Sequence, residues 1–296
     1  MGSNAGTIPD LDVFLSPFLT EIQGLVVHRA FSHSITFAVL LAPLLGWLVH
    51  KYVYKEKWAT LREWQWLSFW ALFTHPLLDC FTNWGTQLFN PFSNYRVAFN
   101  TISVVDPIYT VPFGICLLVA LFLQRESSWR KTWNQTGLVL STLIMGLTCV
   151  NKVSSHTAFK NMLRKQGSSS TNISTYALPL NLLWFAVAEE NLGYQVGLYS
   201  VVGDQNDIQF RYVPKNRKLV EKLEGDTHLE TLNWFSKGQW TVTKKNDTLY
   251  WHDLRFGLQN LDMSDTVTKY NFTYQLVTNQ EKNKILEVKQ IQPPVE

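Results

Sequence analysis

Trp70-Ala-Leu-Phe-Thr-His75-Pro-Leu-Leu-Asp79-Cys-Phe-Thr82 is the stretch on which the reading of this chain turns. It is apolar enough for lipid or for a protein core, yet it carries an imidazole and a carboxylate four residues apart. A helix stacks such a pair on one face, about one turn apart. Ionisable groups inside apolar helices are costly, usually face a bundle interior, and mark functional sites. Imidazole and carboxylate at this spacing can chelate a divalent metal. The same pair can also be a plain hydrogen bond that holds a helix, so the flanking sequence has to decide.

Working outward, the neighbouring runs have the lengths of bilayer crossings. Ser34 to Val53 is one span, Trp64 to Trp84 a second with Pro76 expected to kink it, Val104 to Leu123 a third, and Gly137 to Val153 a fourth. Tyr52, Trp64, Trp66, Trp84, Tyr109, Trp129 and Trp133 cluster near the span ends, as an aromatic belt would. Lys51, Lys55, Lys57 and Arg62 crowd one short loop, and Arg125, Arg130 and Lys131 another. The positive-inside rule puts both in the cytoplasm. Residues 6–33, the loop 85–103 and everything after 155 then lie outside.

Composition agrees with a split chain. The 296 residues are 46% hydrophobic overall, but residues 34–155 hold most of the apolar run and few charges. A net charge of +3, scattered along the chain, gives no argument for nucleic acid, and no such partner is expected. Cys80, Cys116 and Cys149 all fall in the apolar part without metal-type spacing and read as small buried residues. Met1-Gly-Ser-Asn-Ala5 reads as an expression scar, with a preceding segment expected to be missing.

Gln166 to Asn172 reads as a linker, after which the pattern changes to strands. These are Leu182–Ala188, Tyr194–Val202, Gln209–Val213 after a Gly203-Asp-Gln-Asn turn, Trp240–Thr243, Leu249–Trp251, Thr266–Val277 and Ile285–Ile291, with a helical stretch over 215–235. The expected fold class is α+β: a polytopic transmembrane helical bundle over residues 1–165, then a soluble, mainly antiparallel β domain over 166–296. His228 and His252 stand alone in that domain and read as surface residues.

The topology brings Asp10, Asp12, His28, His33, Asp79, Arg96, Asp106 and His156 to one external mouth, with His75 a turn deeper. Two carboxylates two apart cannot share a helical face, but both can grip metals from an extended loop. His28 and His33 would be about 140° apart on a helix, so one precedes the helix, with Ser32 or Ser34 near its cap. Three imidazoles and three carboxylates are about what a two-metal site uses; such a site activates water and clamps the oxygens of a phosphoester. Arg29 and Arg96, with Lys152 and His156 as further candidates, are cations that could pair with a phosphate. On their own, Pro9-Asp-Leu-Asp12 reads as a turn and helix cap, Asp106-Pro107 as a helix start, and His50 as an interfacial residue. No nucleophile elbow or phosphate-binding glycine loop competes for the chemistry.

Gly6-Thr-Ile-Pro-Asp-Leu-Asp12, His28-Arg-Ala-Phe-Ser-His33-Ser34, His75-Pro-Leu-Leu-Asp79-Cys-Phe-Thr-Asn-Trp-Gly85-Thr-Gln, Asp106-Pro-Ile-Tyr-Thr110 and Trp251-His-Asp-Leu-Arg-Phe-Gly257 together resemble the YdjM-type family of bacterial membrane-bound, metal-dependent hydrolases. That family looks related to zinc-dependent phospholipase C and to single-strand nucleases of the same helical fold. The resemblance implies that Asp12, His28 or His33, His75 and Asp79 hold zinc. Those soluble enzymes carry a further His-x-x-x-Glu pair, which the membrane part of this chain lacks, so one or two ions, zinc or manganese, are expected rather than three.

The expected protein is a multi-pass inner-membrane phosphoesterase with its β domain extracytoplasmic. Asp10, Asp12, His28, His33, His75 and Asp79 bind metal, Arg29 positions the anion, and a phospholipid is a candidate substrate. A metal-handling or transport protein, and an anchor for a partner-binding β domain, are the competing readings.

Overall fold

The computed structural model describes residues 5–53, 59–168, 170, 172–203, 208–259, 268–279 and 283–291. Residues 1–4 of the expected scar, Lys55 and Lys57 of the basic loop, Asp204 to Asn206 of the expected turn and the first two residues of the strand expected from Thr266 lie outside them.

The chain enters through a run of 3-10 turns, Pro9–Phe18, and a short helix α1, Glu21–Val27. Thr20 and Gln23 close a capping box at its start, each side chain bonding the other's backbone amide. Ser34 caps α2, Ile35–Leu48, by accepting from the Phe37 amide, so His33 precedes the helix, as the spacing of the two histidines requires. A π turn over Val49–Val53 extends α2. A second capping box, Thr60 with Glu63, opens α3, Leu61–Asp79, which runs on through Pro76 without a break. Asp106 and Pro107 start α4, Pro107–Phe122, and α5, Ser128–Lys165, returns alongside it.

The helices pack as two antiparallel hairpins, α2 with α3 and α4 with α5. Small residues set the approach. Ala38, Ala42 and Gly46 recur every four positions on α2, and a Cβ on Gly46 would sit 2.6 Å from the Gln65 backbone. In the other hairpin Gly137 meets Cys116, where a Cβ would come within 2.9 Å of the Cys116 Cβ. Close backbone contact through small residues is how helices associate when no water is available to drive them together. The outward faces stay apolar: Leu40, Leu44, Leu118, Leu121, Leu143 and Val153 are all exposed.

Two of the four expected spans, Ile35–Tyr52 and Ser128–Lys165, are long and apolar enough to cross a membrane. Pro107–Phe122 is apolar but shorter, and Leu61–Asp79 carries Arg62, Glu63 and Asp79 among its 19 residues. Helix α5 is also longer than the expected fourth span. Its 38 residues reach about 57 Å at 1.5 Å per residue. The excess packs under a sheet, with Ala158, Phe159 and Leu163 buried and the first two joined to Trp184, Ala186 and Tyr199.

Two four-stranded antiparallel meanders follow. The first orders β1 (Asn172–Ala177), β2 (Leu183–Glu189), β3 (Gly193–Ser200) and β4 (Gln209–Pro214) in sequence; the second does the same with β5 (Trp240–Lys245), β6 (Thr248–Asp253), β7 (Thr273–Asn279) and β8 (Lys284–Ile291). Strand β1 starts where a linker was expected to end: its Ser and Thr residues mimic loop composition, but Tyr176 and Ala177 are buried against β2. Between the sheets lie 3-10 turns, Arg217–Leu223, and α6, Thr227–Phe235. His252 is buried, contrary to the surface position expected for it. Its ring is stacked on Tyr270 and bracketed by the Thr243 and Thr273 hydroxyls at 2.8 and 2.9 Å. Burial pushes its pKa down to about 3.

The second sheet shares its core with the start of the chain. Ile22 and Leu25 of α1 pack with Leu229, Leu232 and Phe235 of α6 and with Trp240, Trp251 and Tyr274 of the sheet. Trp84, just beyond α3, lies edge-on to Phe235, Phe256 and Phe272. The segments that carry the motif residues are therefore fixed from the sheet side as well as by the helices.

Candidate metal centre

Four donor atoms face one another where α2 begins and α3 ends. Asp10 Oδ1 is 3.3 Å from His33 Nε2 and 3.3 Å from His75 Nε2; Asp79 Oδ2 is 3.4 Å from each of the same two nitrogens. The donor atoms of Asp10, His33 and His75 all lie within 4.8 Å of one another. These separations are long for hydrogen bonds. Each of the four is the length of one ligand-to-ligand edge, about 3.3–3.4 Å, around zinc with bonds of about 2.0–2.1 Å; the mutually close set is Asp10, His33 and His75, which Asp79 joins through the two imidazoles. Among the described residues, buried Asp79 Oδ2 has no hydrogen-bond partner, a costly state for a carboxylate oxygen unless a cation faces it.

Charge points the same way. The cluster groups three carboxylates, Asp10, Asp12 and Asp79, with one guanidinium, Arg29, which pairs with Asp79; with the imidazoles neutral, as metal binding requires, two negative charges remain for one divalent ion to balance. The His33 and His75 rings facing it hold the Asp10 carboxyl far below its usual range. Burial pushes Asp12 upward, but the His28 ring and the Arg29 amide outweigh it and leave the carboxyl lowered.

Asp10 and Asp12 do different things. On 3-10 turns, residues two apart point about 240° from each other, and of the two it is Asp10 that turns to the Nε2 atoms of His33 and His75. Asp12 Oδ2 accepts from the Arg29 amide at 3.0 Å and the Ser32 hydroxyl at 3.2 Å, and lies 3.5 Å from His33 Nδ1; its Oδ1 is 3.1 Å from His28 Nδ1. It fixes the ring of a donor from behind, the commonest arrangement around metal-binding histidines. His28 stands beside the cluster, its ring 6.1 Å from that of His33, half-exposed and tied to Asp12.

Arg29 is buried, and its guanidinium faces protein rather than open space. Nη2 lies 3.3 Å from Asp79 Oδ1 and Nη1 donates to Thr82 Oγ1 at 2.9 Å. The residue sits at φ +57°, a left-handed conformation rare for a side chain of this size, and the Gln87 amide pins its carbonyl at 3.0 Å. Its geometry holds Asp79 in place, in contrast to the anion contact expected from sequence. Arg96 is likewise occupied: it donates to the carbonyls of Leu25, His28 and Gly85 and lies over Trp234 and Phe235. Asp106 caps α4, and Lys152 donates to the Thr175 carbonyl. Among the described residues, no contact joins Asp106, Lys152 or His156 to the donor cluster. Ser32, expected only as a candidate cap, and Thr82, not singled out, both enter the network; Ser34 is the cap instead.

The YdjM inner membrane protein family matches residues 1–158. The chain belongs to that family. Every residue of the cluster lies within the match, whereas Trp251–Gly257, part of the resemblance drawn from sequence, lies beyond it. No curated protein and no solved structure matches the chain.

Proposed function

We propose that this YdjM-family protein is a metal-dependent hydrolase of phosphoesters at the external membrane face. In this reading both hairpins cross the membrane, and the sheets with the donor cluster lie outside. The single observation that carries it is the square of 3.3–3.4 Å contacts linking two carboxylate oxygens to two imidazole nitrogens. Asp10, His33, His75 and Asp79 would hold one divalent ion, zinc or manganese. Bound there, the ion supplies a water of lowered pKa and charge stabilisation for a phosphoester oxygen.

The chain's own groups do the rest. Asp12 and Ser32 lock the His33 ring, and Arg29 with Thr82 locks Asp79. Asp12 also orients His28 through Nδ1, and in this reading the ring's Nε2 would serve as the proton-transfer group. The cluster opens at Asp10, whose side chain is 52% exposed. The same turns present Phe14 and Phe18, which are 71% and 84% exposed. Residues 5–50 contain one cation, the buried Arg29, so nothing there steers a soluble anion toward the opening. A phosphoester carried by a lipid, delivered along the bilayer surface, fits that rim best.

Metal analysis of the purified protein, paired with hydrolysis of a phosphomonoester, a phosphodiester and a phospholipid, tests this. Bound zinc or manganese, and turnover lost in His75→Ala and Asp79→Ala, are expected. A protein that retains neither metal, and whose two variants keep the parent's activity, would not be this enzyme.

A further inference from the structure

At the end of the α4–α5 hairpin opposite the sheets lies a cavity of about 410 Å³. One side is apolar, built by Leu117, Ala120 and Leu121 of α4; the other carries Arg125, Arg130 and Lys131. We propose that this cavity holds the headgroup of an anionic phospholipid, with an acyl chain laid along the exposed α4 face.

The two halves of the cavity match the two halves of such a molecule. Among the described residues, no carboxylate forms an ion pair with any of the three cations. Arg130 Nη1 donates to the Leu123 carbonyl at 3.2 Å, which fixes the side chain and leaves its remaining N–H groups for an anion. Arg125 and Lys131 are exposed, so both can close on a bound phosphate. The apolar wall continues outward through Leu118 and Phe122, also exposed, where a chain would run. Ser127, which starts α5, makes no capping bond with its side chain, so the first-turn amides add to the positive end.

Free phosphate would use the cations but gain nothing from the leucines. A zwitterionic lipid would bring its own cation toward three others. Basic pockets between apolar helices are suited to anionic headgroups, at about 1 kcal/mol, or roughly five-fold, per Lys or Arg. The family's membrane setting and the length of α5 supply the bilayer.

Native mass spectrometry of the full chain, offered equal phosphatidylglycerol and phosphatidylcholine, reads the preference directly and does not involve the metal centre. Retention of phosphatidylglycerol over phosphatidylcholine by at least ten-fold is expected, unaffected by millimolar inorganic phosphate. The Arg125→Gln/Arg130→Gln/Lys131→Gln variant should bring the ratio near one. Should it not fold, Lys131→Glu alone, on an exposed side chain, must still lower the ratio several-fold. Equal retention of the two lipids, displacement by inorganic phosphate, or a ratio unchanged in the variants would overturn the proposal.

Discussion

Asp12→Asn separates a residue that binds metal from one that positions its neighbours. The carboxylate makes four contacts, to the Arg29 amide, the Ser32 hydroxyl, His33 Nδ1 and His28 Nδ1. An amide keeps one acceptor oxygen. If that oxygen stays on the Arg29 amide and Ser32, the new NH2 faces His28 Nδ1 and must find a lone pair there, so the His28 proton moves to Nε2. The ring nitrogen left to take a proton then already carries one. Loss of a partner behind a metal-binding histidine typically costs 10–100-fold in metal affinity, about 1.4–2.7 kcal/mol. Turnover at saturating metal should fall by a further factor of about 100 or more, the scale of one general acid or base. Competition with a chelator gives the first number, and phosphodiester hydrolysis in excess zinc gives the second. Asp10→Asn provides the contrast: with a donor atom removed, its defect should lie mainly in metal affinity. Metal affinity and saturated turnover both within two-fold of the parent in Asp12→Asn would refute the positioning role.

Gly46→Ala should destabilise the α2–α3 hairpin by about 1–3 kcal/mol, because its Cβ meets backbone at 2.6 Å and neither helix can give way. Gly114→Ala and Gly146→Ala, where a Cβ meets nothing within 4 Å, should instead gain about 0.5–1 kcal/mol, and denaturation midpoints in detergent compare the three. His252 gives a pH signature. Its pKa is about 3 when folded against an ordinary value of 6.5, so the unfolded chain binds the extra proton between those values. The neutral ring's full contribution is present above pH 6.5 and falls by up to about 1.4 kcal/mol per unit as the pH drops toward 3. His252→Gln should flatten stability between pH 6 and 4; parallel profiles would show that other groups set the slope.

How much of this was legible in sequence depended on how local each cause was. The His75 and Asp79 pair was readable because helical spacing alone places both on one face, and the structure sets Nε2 3.4 Å from Oδ2. Caps were readable for the same reason: Ser34 and Asp106 act within their own turns. The partners of Arg29 were not legible, because an arginine beside a histidine looks like an anion clamp until the fold brings Asp79 and Thr82 to it from 50 or more residues away. Asp10 and Asp12 were indistinguishable, since the division of labour depends on the turn type between them. His252 was taken for a surface residue because its two partners, Thr243 and Thr273, lie on neighbouring strands and satisfy both ring nitrogens only after the sheet forms.

The placement of α1 bears on what the sheets are for. An anchor with an independent binding domain would need only a tether between the two parts, and its motif residues would be fixed by the helices alone. Here Ile22 and Leu25 lie in the core of the second sheet, three residues before His28 begins the donor loop. Arg96 then holds the carbonyls of Leu25 and His28 at 2.5 and 2.8 Å, with its guanidinium carbon 5.2 and 5.5 Å from the rings of Trp234 and Phe235. A shift in α6 would therefore reach the His28–Arg29 turn through one guanidinium, and from Arg29 it would reach Asp79. For the proposed enzyme, catalytic geometry would tolerate about 0.5 Å of error, and hairpins with mobile lipid on their outer faces would be a poor frame for that tolerance. The sheets hold the bulkiest fully buried aromatics of the chain, Trp184, Trp251, Tyr194 and Tyr274. They supply the rigid wall against which the donor loop is held.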